Sequence, residues 1–481
     1  MKKIALLIAV IGQVSVSLPG FADEARATSV RENPCAEDRL GRLRARIEKV
    51  RGVKFSSPIP CSVQDRSALA KKLQSEWDKK SPAEWDAAET RLRHFGLLPA
   101  NLSLKDALLP VLGEQVIAYY DNVEKTLTLI RTKDDPIGEP ADLGAAGDPL
   151  AEMTGFGFEE ITLLHELDHG FEDQYSNLTQ GLERRRGQND AENAFMALVE
   201  GESTYLMIAA LVDAAGATGT EVTADTLDSV LGELELSVST SLIGSSFGNS
   251  PVVIRESLIF PYLLGFRFSR ALAKRGGWPL LNAALLSPPE SSRTILHPES
   301  YGGAPEEILR FEWPRADPFA LTGWTILEDQ VYGEQDVAIL LGKGEPRGPI
   351  EPAEGWRGDR FRLYQRGENR GESLSAGIVE FDDEPRAILF ELELRRRLGA
   401  LGHRVHEVNR SGKRVVLVDG PVNPALSKSF SRDLMSARSW TETCPAVSWN
   451  GVLAGEPLHG TAPPAFQSPT GVNRSEVSAA Q

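Results

Sequence analysis

Apolar residues recur three and four positions apart along several charged stretches of this chain, and each such stretch predicts an amphipathic helix. The first runs from Asp38 to Arg51, followed by an extended Val53-Lys54-Phe55 and a proline-rich turn. Ser67 to Trp77 and Pro82 to Phe95 predict two more, with Ser81 placed to cap the second and Pro82 in its first turn. These make residues 23–112 a mostly helical N-terminal region. Then the period changes. Gln115 to Tyr120 and Thr126 to Ile130 are β-rich runs on either side of a polar Asp121-to-Lys125 turn, which predicts a hairpin.

A Gly/Pro/Asp-rich loop spans Asp134 to Gly157. After it come a helix starting at Glu159-Glu160, an arginine-rich link and a long helix from about Asp190 to Ala214. Ala224 to Leu242 predicts a further helix, and Leu258 to Ala273 is an apolar segment. From about Glu312 the texture alternates. Val337 to Leu341, Phe361 to Tyr364, Ala376 to Phe381 and Arg414 to Val418 predict strands, and Glu384 to Leu398 a helix. The expected organisation is a catalytic unit over 113–311, a smaller α+β domain over 312–440 and a tail over 441–481. From about Gly455 the tail's composition predicts disorder.

The first residues change where this chain is expected to work. Lys2-Lys3, an apolar Ile4-to-Ile11 core and the small-residue site Gly20-Phe21-Ala22 form a secretory-signal pattern over 1–22. Cleavage near Ala22 predicts a secreted or periplasmic mature chain from about Asp23. No further segment is expected to cross a membrane, since Tyr205 to Ala215 has only core-helix length. A net charge of −16 and a pI near 5.1 argue against nucleic acid or anionic membrane as the main partner. Oligomeric state is not legible. Of three cysteines, Cys35 and Cys61 are the local disulfide pair, closing a loop worth roughly 3 kcal/mol, with Cys444 left over or taking either partner instead.

The densest chemistry is His165-Glu166-Leu167-Asp168-His169, an HExxH pattern in a chain with only 7 histidines. Histidines four apart on a helix project from one face, so both imidazoles can bind one Zn2+ while Glu166 acts as general base. A catalytic zinc needs a third protein ligand, and Val199-Glu200-Gly201-Glu202 offers it. Glu200 shares the apolar face with Ala197, Thr204 and Met207 and is preferred. Glu202 points away and is expected to be exposed. Asp173 is placed to orient a histidine's second nitrogen, or is an ordinary helix-end charge. Asp168 puts an extra acid between the ligands. For the oxyanion, His297 and Tyr301 of His297-Pro298-Glu299-Ser300-Tyr301 are candidates. The hairpin strand, through Gln115, Ile117 and Tyr119, is the expected edge for an extended peptide.

The motifs HELDHGFEDQ, ALVEGES and ILHPESY resemble a group of secreted prokaryotic proteins related to the gluzincin zinc metallopeptidases. Members typically carry HELxHALQDQ, ALVEGDA and STEQILHPEKY. The resemblance extends to RGVKFSSPIP, FGLLP, EQVIAYYD, GGWPLLNAALLSPP and GWRGDRFRLY, and to the Asp383-to-Leu394 helix, so it covers roughly Leu43 to Leu398. It implies zinc on His165, His169 and Glu200, catalysis by Glu166, and a role for His297. Departures are Asp168, Glu202 for the usual Asp, and Arg293-Thr294 for Glu-Gln.

The expected fold class is α+β: a mostly helical, zincin-like core with an edge-strand hairpin, plus the smaller domain. The expected function is that of an extracytoplasmic zinc metallopeptidase, an endopeptidase acting on peptide or protein substrates. A catalytically silent zinc-bound envelope scaffold and a cell-wall peptide amidase are the alternatives. The N-terminal region is either a removable propeptide or a permanent part of the fold.

Overall fold

The computed structural model describes residues 33, 35–79, 81–131, 158–216, 248–302, 305–341, 351–367, 371–402 and 406–444. The signal pattern, the loop over 134–157, the helix expected over Ala224 to Leu242 and the tail from Gly455 lie outside these residues. The fold is mixed α+β.

Helix α1 (Glu37–Arg51) carries Glu37 and Asp38 in its first turn and buries Leu40, Leu43, Ile47 and Arg51 along one face. It ends at Gly52, whose φ of 70° suits a residue without a Cβ. Val53 to Phe55 form no strand. A disulfide joins Cys35, just ahead of α1, to Cys61 at the start of β1 (Cys61–Asp65). The sequence reading lacked β1. Its partner is β3 (Thr126–Arg131), parallel and some 65 residues distant, with Cys61 opposite Leu127. Helices α2 (Arg66–Asp78), α3 (Pro82–His94) and α4 (Leu104–Gln115) follow. At α3, Ser81 and Glu84 form a reciprocal capping box, with Pro82 just inside.

The hairpin forms from β2 (Ala118–Asp121) and β3, and the sheet order β1-β3-β2 leaves β2 at an edge. Its expected residues need correction. Gln115 is the last residue of α4, so the strand starts later than the apolar run suggested. The Ile117 carbonyl accepts the Ile130 N–H, so the backbones of Ile117 and, by alternation, Tyr119 face β3. The outward groups belong to Ala118 and Tyr120.

Behind the hairpin stand α5 (Phe158–Ser176), α6 (Leu178–Arg185), α7 (Asn189–Gly216), α8 (Val252–Leu286) and the short α9 (Ser292–Leu296). Helix α8 breaks at Gly277, with φ 62° and ψ −160°. Asn189–Leu211 of α7 is long and apolar enough to cross a bilayer, contrary to the sequence expectation, but 78% of that window is buried within the fold. It is a core helix here, packed by α1, α5, α8 and α9.

The C-terminal part is an antiparallel five-stranded sheet of order β5-β6-β7-β9-β8: β5 (Thr325–Gln330), β6 (Trp356–Arg366), β7 (Glu372–Phe381), β8 (His406–Ser411) and β9 (Arg414–Asp419). Helices α10 (Gly333–Leu340), α11 (Glu384–Ala400) and α12 (Pro424–Met435) pack against it. Val337 to Leu341 is therefore largely helix, not strand; a short apolar run carries no period of its own. Strand β4 (Glu306–Phe311) pairs with β10 (Ser439–Cys444), so residues 306–311 join the C-terminal unit and 441–444 are strand, not tail. Cys444 is buried and outside any disulfide. Helix α3 ties the two parts together. Arg91 pairs with Glu328 at 2.7 Å, and His94 sits between Ser373 (Nδ1–Oγ, 2.9 Å) and Asp419 (Nε2–Oδ2, 2.9 Å).

Candidate metal centre

Helix α5 presents His165 and His169 toward α7, and Glu200 of α7 meets them. The Nε2 atoms of the two imidazoles are 3.1 Å apart, and each lies 3.3 Å from Glu200 Oε2. Three lone-pair donors thus form a nearly equilateral triangle. An ion bound tetrahedrally with bonds of about 2.0–2.1 Å holds its ligand atoms about 3.3–3.4 Å apart. The triangle fits that requirement, and all three side chains are buried. Burial alone would raise the Glu200 carboxyl, but His169 and the hydrogen bonds from both rings hold it down at about 2. It is thus an anion that the two rings share through the same Nε2 atoms a metal would take.

Glu166 lies between the ligands in sequence and faces the hairpin. Its Oε2 accepts the Tyr120 backbone N–H at 2.7 Å, while Oε1 is buried with no hydrogen-bond partner among the described residues. Burial raises its carboxyl above the ordinary range, against the lowering effect of His165 and His169. A pocket opens there, lined by Tyr120, Asn122, Glu166, His169 and Glu200 and by the apolar Leu178, Phe195 and Val199.

His169 is oriented from behind, by residues other than the expected Asp173. Its Nδ1 is 2.9 Å from Glu172 Oε2 and 3.1 Å from Ser203 Oγ. These acceptors hold a proton on Nδ1, so a metal that displaces the Nε2 proton meets the lone pair on Nε2. Asp173 is drawn away by the hairpin: it accepts from Tyr120 Oη at 2.8 Å, Lys125 Nζ at 2.5 Å and the Leu178 N–H at 3.0 Å. Glu172 could have been found three residues after His169. Ser203 needs the α5–α7 packing.

Two further expectations change. Glu202 is fully buried, because α7 has neighbours on every side and no solvent face at this level. It lies 3.3 Å from Arg51 Nη1. Asp168 is buried as well and makes a two-point pair with the same arginine. His297 and Tyr301 are not brought to the pocket. His297 ends α9 and its Nε2 lies 2.8 Å from Glu334 Oε1, while Tyr301 packs on Phe268 and donates to the Ser287 carbonyl at 2.6 Å. The short α9 turns the motif toward the C-terminal unit instead.

No family model, curated protein or solved structure matches this chain.

Proposed function

We propose that this chain is a zinc-dependent peptidase with a zincin-like core built from α5, α7 and the β2–β3 hairpin. The observation that carries the reading is the buried His165–His169–Glu200 triangle with the unpartnered Glu166 Oε1 beside it. The resemblance of the surrounding motifs to the gluzincin-like group supports it, as does the His₂Glu donor set, which suits zinc. A scaffold reading leaves the buried, half-unpartnered Glu166 without a purpose.

Zinc held by these three side chains would polarise a substrate carbonyl and make water a nucleophile at neutral pH. The chain's own residues do the rest. Glu166 takes the proton of the attacking water and passes it to the leaving amine, so the peptide C–N bond breaks with no net change in the enzyme. Glu172 and Ser203 keep the His169 ring in place throughout. An extended peptide lies along β2, where the outward backbone of Ala118 and the Tyr120 carbonyl form the edge, the Tyr120 N–H being held by Glu166. The signal-like N-terminus and the Cys35–Cys61 disulfide favour action outside the cytoplasm.

The test compares the wild type with Glu166→Gln on a proteome-derived peptide mixture, with new termini read by mass spectrometry. New termini that vanish in the variant and with chelator are the expected result. Identical termini from both proteins would remove the peptidase reading.

A further inference from the structure

Three carboxylates stand behind the metal ligands, on Asp168, Glu172 and Glu202, and each has a fully buried side chain. Burying one unpaired carboxylate is strongly unfavourable, and three together repel one another. The cation that answers them comes from another element. Arg51, the last residue of α1, points its guanidinium into the centre of the group. Its Nε reaches Asp168 Oδ1 at 2.6 Å and its Nη2 reaches Asp168 Oδ2 at 2.5 Å. Nη1 donates to Asn282 Oδ1 at 3.1 Å and to Glu202 at 3.3 Å, and Nη2 lies 3.6 Å from Glu172 Oε1. Phe171 and Trp278 cover the guanidinium, with ring centroids 4.7 and 5.1 Å from its central carbon.

From Arg51 a continuous path runs to the ligand. Asp168 Oδ2, held by Nη2, accepts the Ser203 hydroxyl at 3.1 Å, and Ser203 Oγ touches His169 Nδ1. A second path goes through Glu172, which lies beside Arg51 at one oxygen and against His169 Nδ1 at the other. Both partners of the His169 ring are therefore set by one arginine.

We infer that Arg51 is a positioning residue of the metal site, and that α1 is a permanent part of that site, not a cap to be removed. The inference rests on the metal reading above. The docking of α1 agrees with it. Arg39 pairs with Glu159 and Glu160 at the start of α5, Arg46 donates to the Ala210 carbonyl on α7, and the disulfide fastens the chain ahead of α1 to β1. Removing α1 would leave the carboxylates without their cation and disorganise the ligands.

The experiment measures zinc affinity by competition with a chromophoric chelator, alongside the melting temperature of each metal-free protein. Arg51→Lys keeps the charge and loses the planar fork. It is expected to bind zinc about 10-fold to 100-fold more weakly, the range for a lost orienting partner, and to melt lower without metal, because the buried two-point pair with Asp168 is lost. Ser203→Ala breaks the path without touching the charges and is expected to weaken zinc in the same direction. It also serves if Arg51→Lys does not fold. Wild-type zinc affinity in Ser203→Ala, and in Arg51→Lys wherever that variant folds, overturns the inference. A wild type that binds no stoichiometric zinc overturns the metal reading itself, a separate outcome.

Discussion

Gly201 and Gly265 meet backbone to backbone where α7 crosses α8. A Cβ placed on Gly201 would come within 2.0 Å of the Gly265 carbonyl carbon, and one on Gly265 within 1.9 Å of the Ala197 carbonyl oxygen. Gly201 stands between Glu200, a candidate ligand, and Glu202, part of the Arg51 cluster. The contact therefore sets how far Glu200 reaches toward the two histidines. Gly201→Ala must push the helices apart, because the clashing atoms are backbone. It is expected to destabilise by about 1–3 kcal/mol or more and to weaken metal binding with it. Urea melts and zinc titration measure both; unchanged values in each would show that the helices separate freely.

Glu166→Gln keeps the size and removes the proton acceptor. Among the described residues its Oε1 has no partner to lose, and the amide oxygen can still accept the Tyr120 N–H. The expected result is near-wild-type zinc content with kcat lower by about 100-fold to 10,000-fold, the usual contribution of general acid–base catalysis. Elemental analysis beside a fluorogenic peptide assay decides. A variant that loses its zinc would assign Glu166 a structural part.

Metal binding is expected to stabilise the fold, because the triangle joins α5 to α7. Free zinc at 100 times its Kd should add about 2.7 kcal/mol by mass action. His165→Ala removes one corner and should abolish that increment while leaving the chelated protein folded. Thermal melts with and without chelator test the point. An equal rise in the variant would place the stabilising ion elsewhere.

His297 gives a pH dependence away from the metal site. The Glu334 hydrogen bond raises its proton affinity above the ordinary imidazole value of 6.5, against the opposing effect of burial. A raised folded-state pKa means the stabilisation is complete below pH 6.5 and is lost as pH rises through the folded value. His297→Gln should therefore cost most stability in mildly acidic solution and little in alkaline solution. Denaturant melts across this range check it; a cost that grows with pH would reverse the assigned sign.

Legibility in the sequence followed range. The HExxH helix, the hairpin, the Ser81 cap with Pro82 behind it, and the local Cys35–Cys61 pair all rest on neighbours in sequence, and all were legible there. Strand β1 was not, because it becomes a strand only by parallel pairing with residues some 65 positions later. Glu202 was misplaced for a related reason. Helical periodicity assigns faces relative to one buried side, and α7 is packed on every side. Arg51 looked like the charged end of an amphipathic helix, since its partners lie 117 to 231 residues away. Gln115, Ile117 and Tyr119 show the limit of parity: the run was found, but only the hydrogen bond from Ile130 shows which backbones turn outward.

The order of the Arg51 cluster along the chain has a consequence for assembly. Arg51 precedes Asp168, Glu172 and Glu202, so a chain emerging from its N-terminus always makes the cation before any of the carboxyl groups it will bind. An intermediate that buries the carboxylates without their counter-charge is thus avoided by the direction of synthesis itself. A circular permutant opened at Gly52, which moves α1 to the end, would lose that order and should aggregate more during synthesis, though its finished contacts were the same.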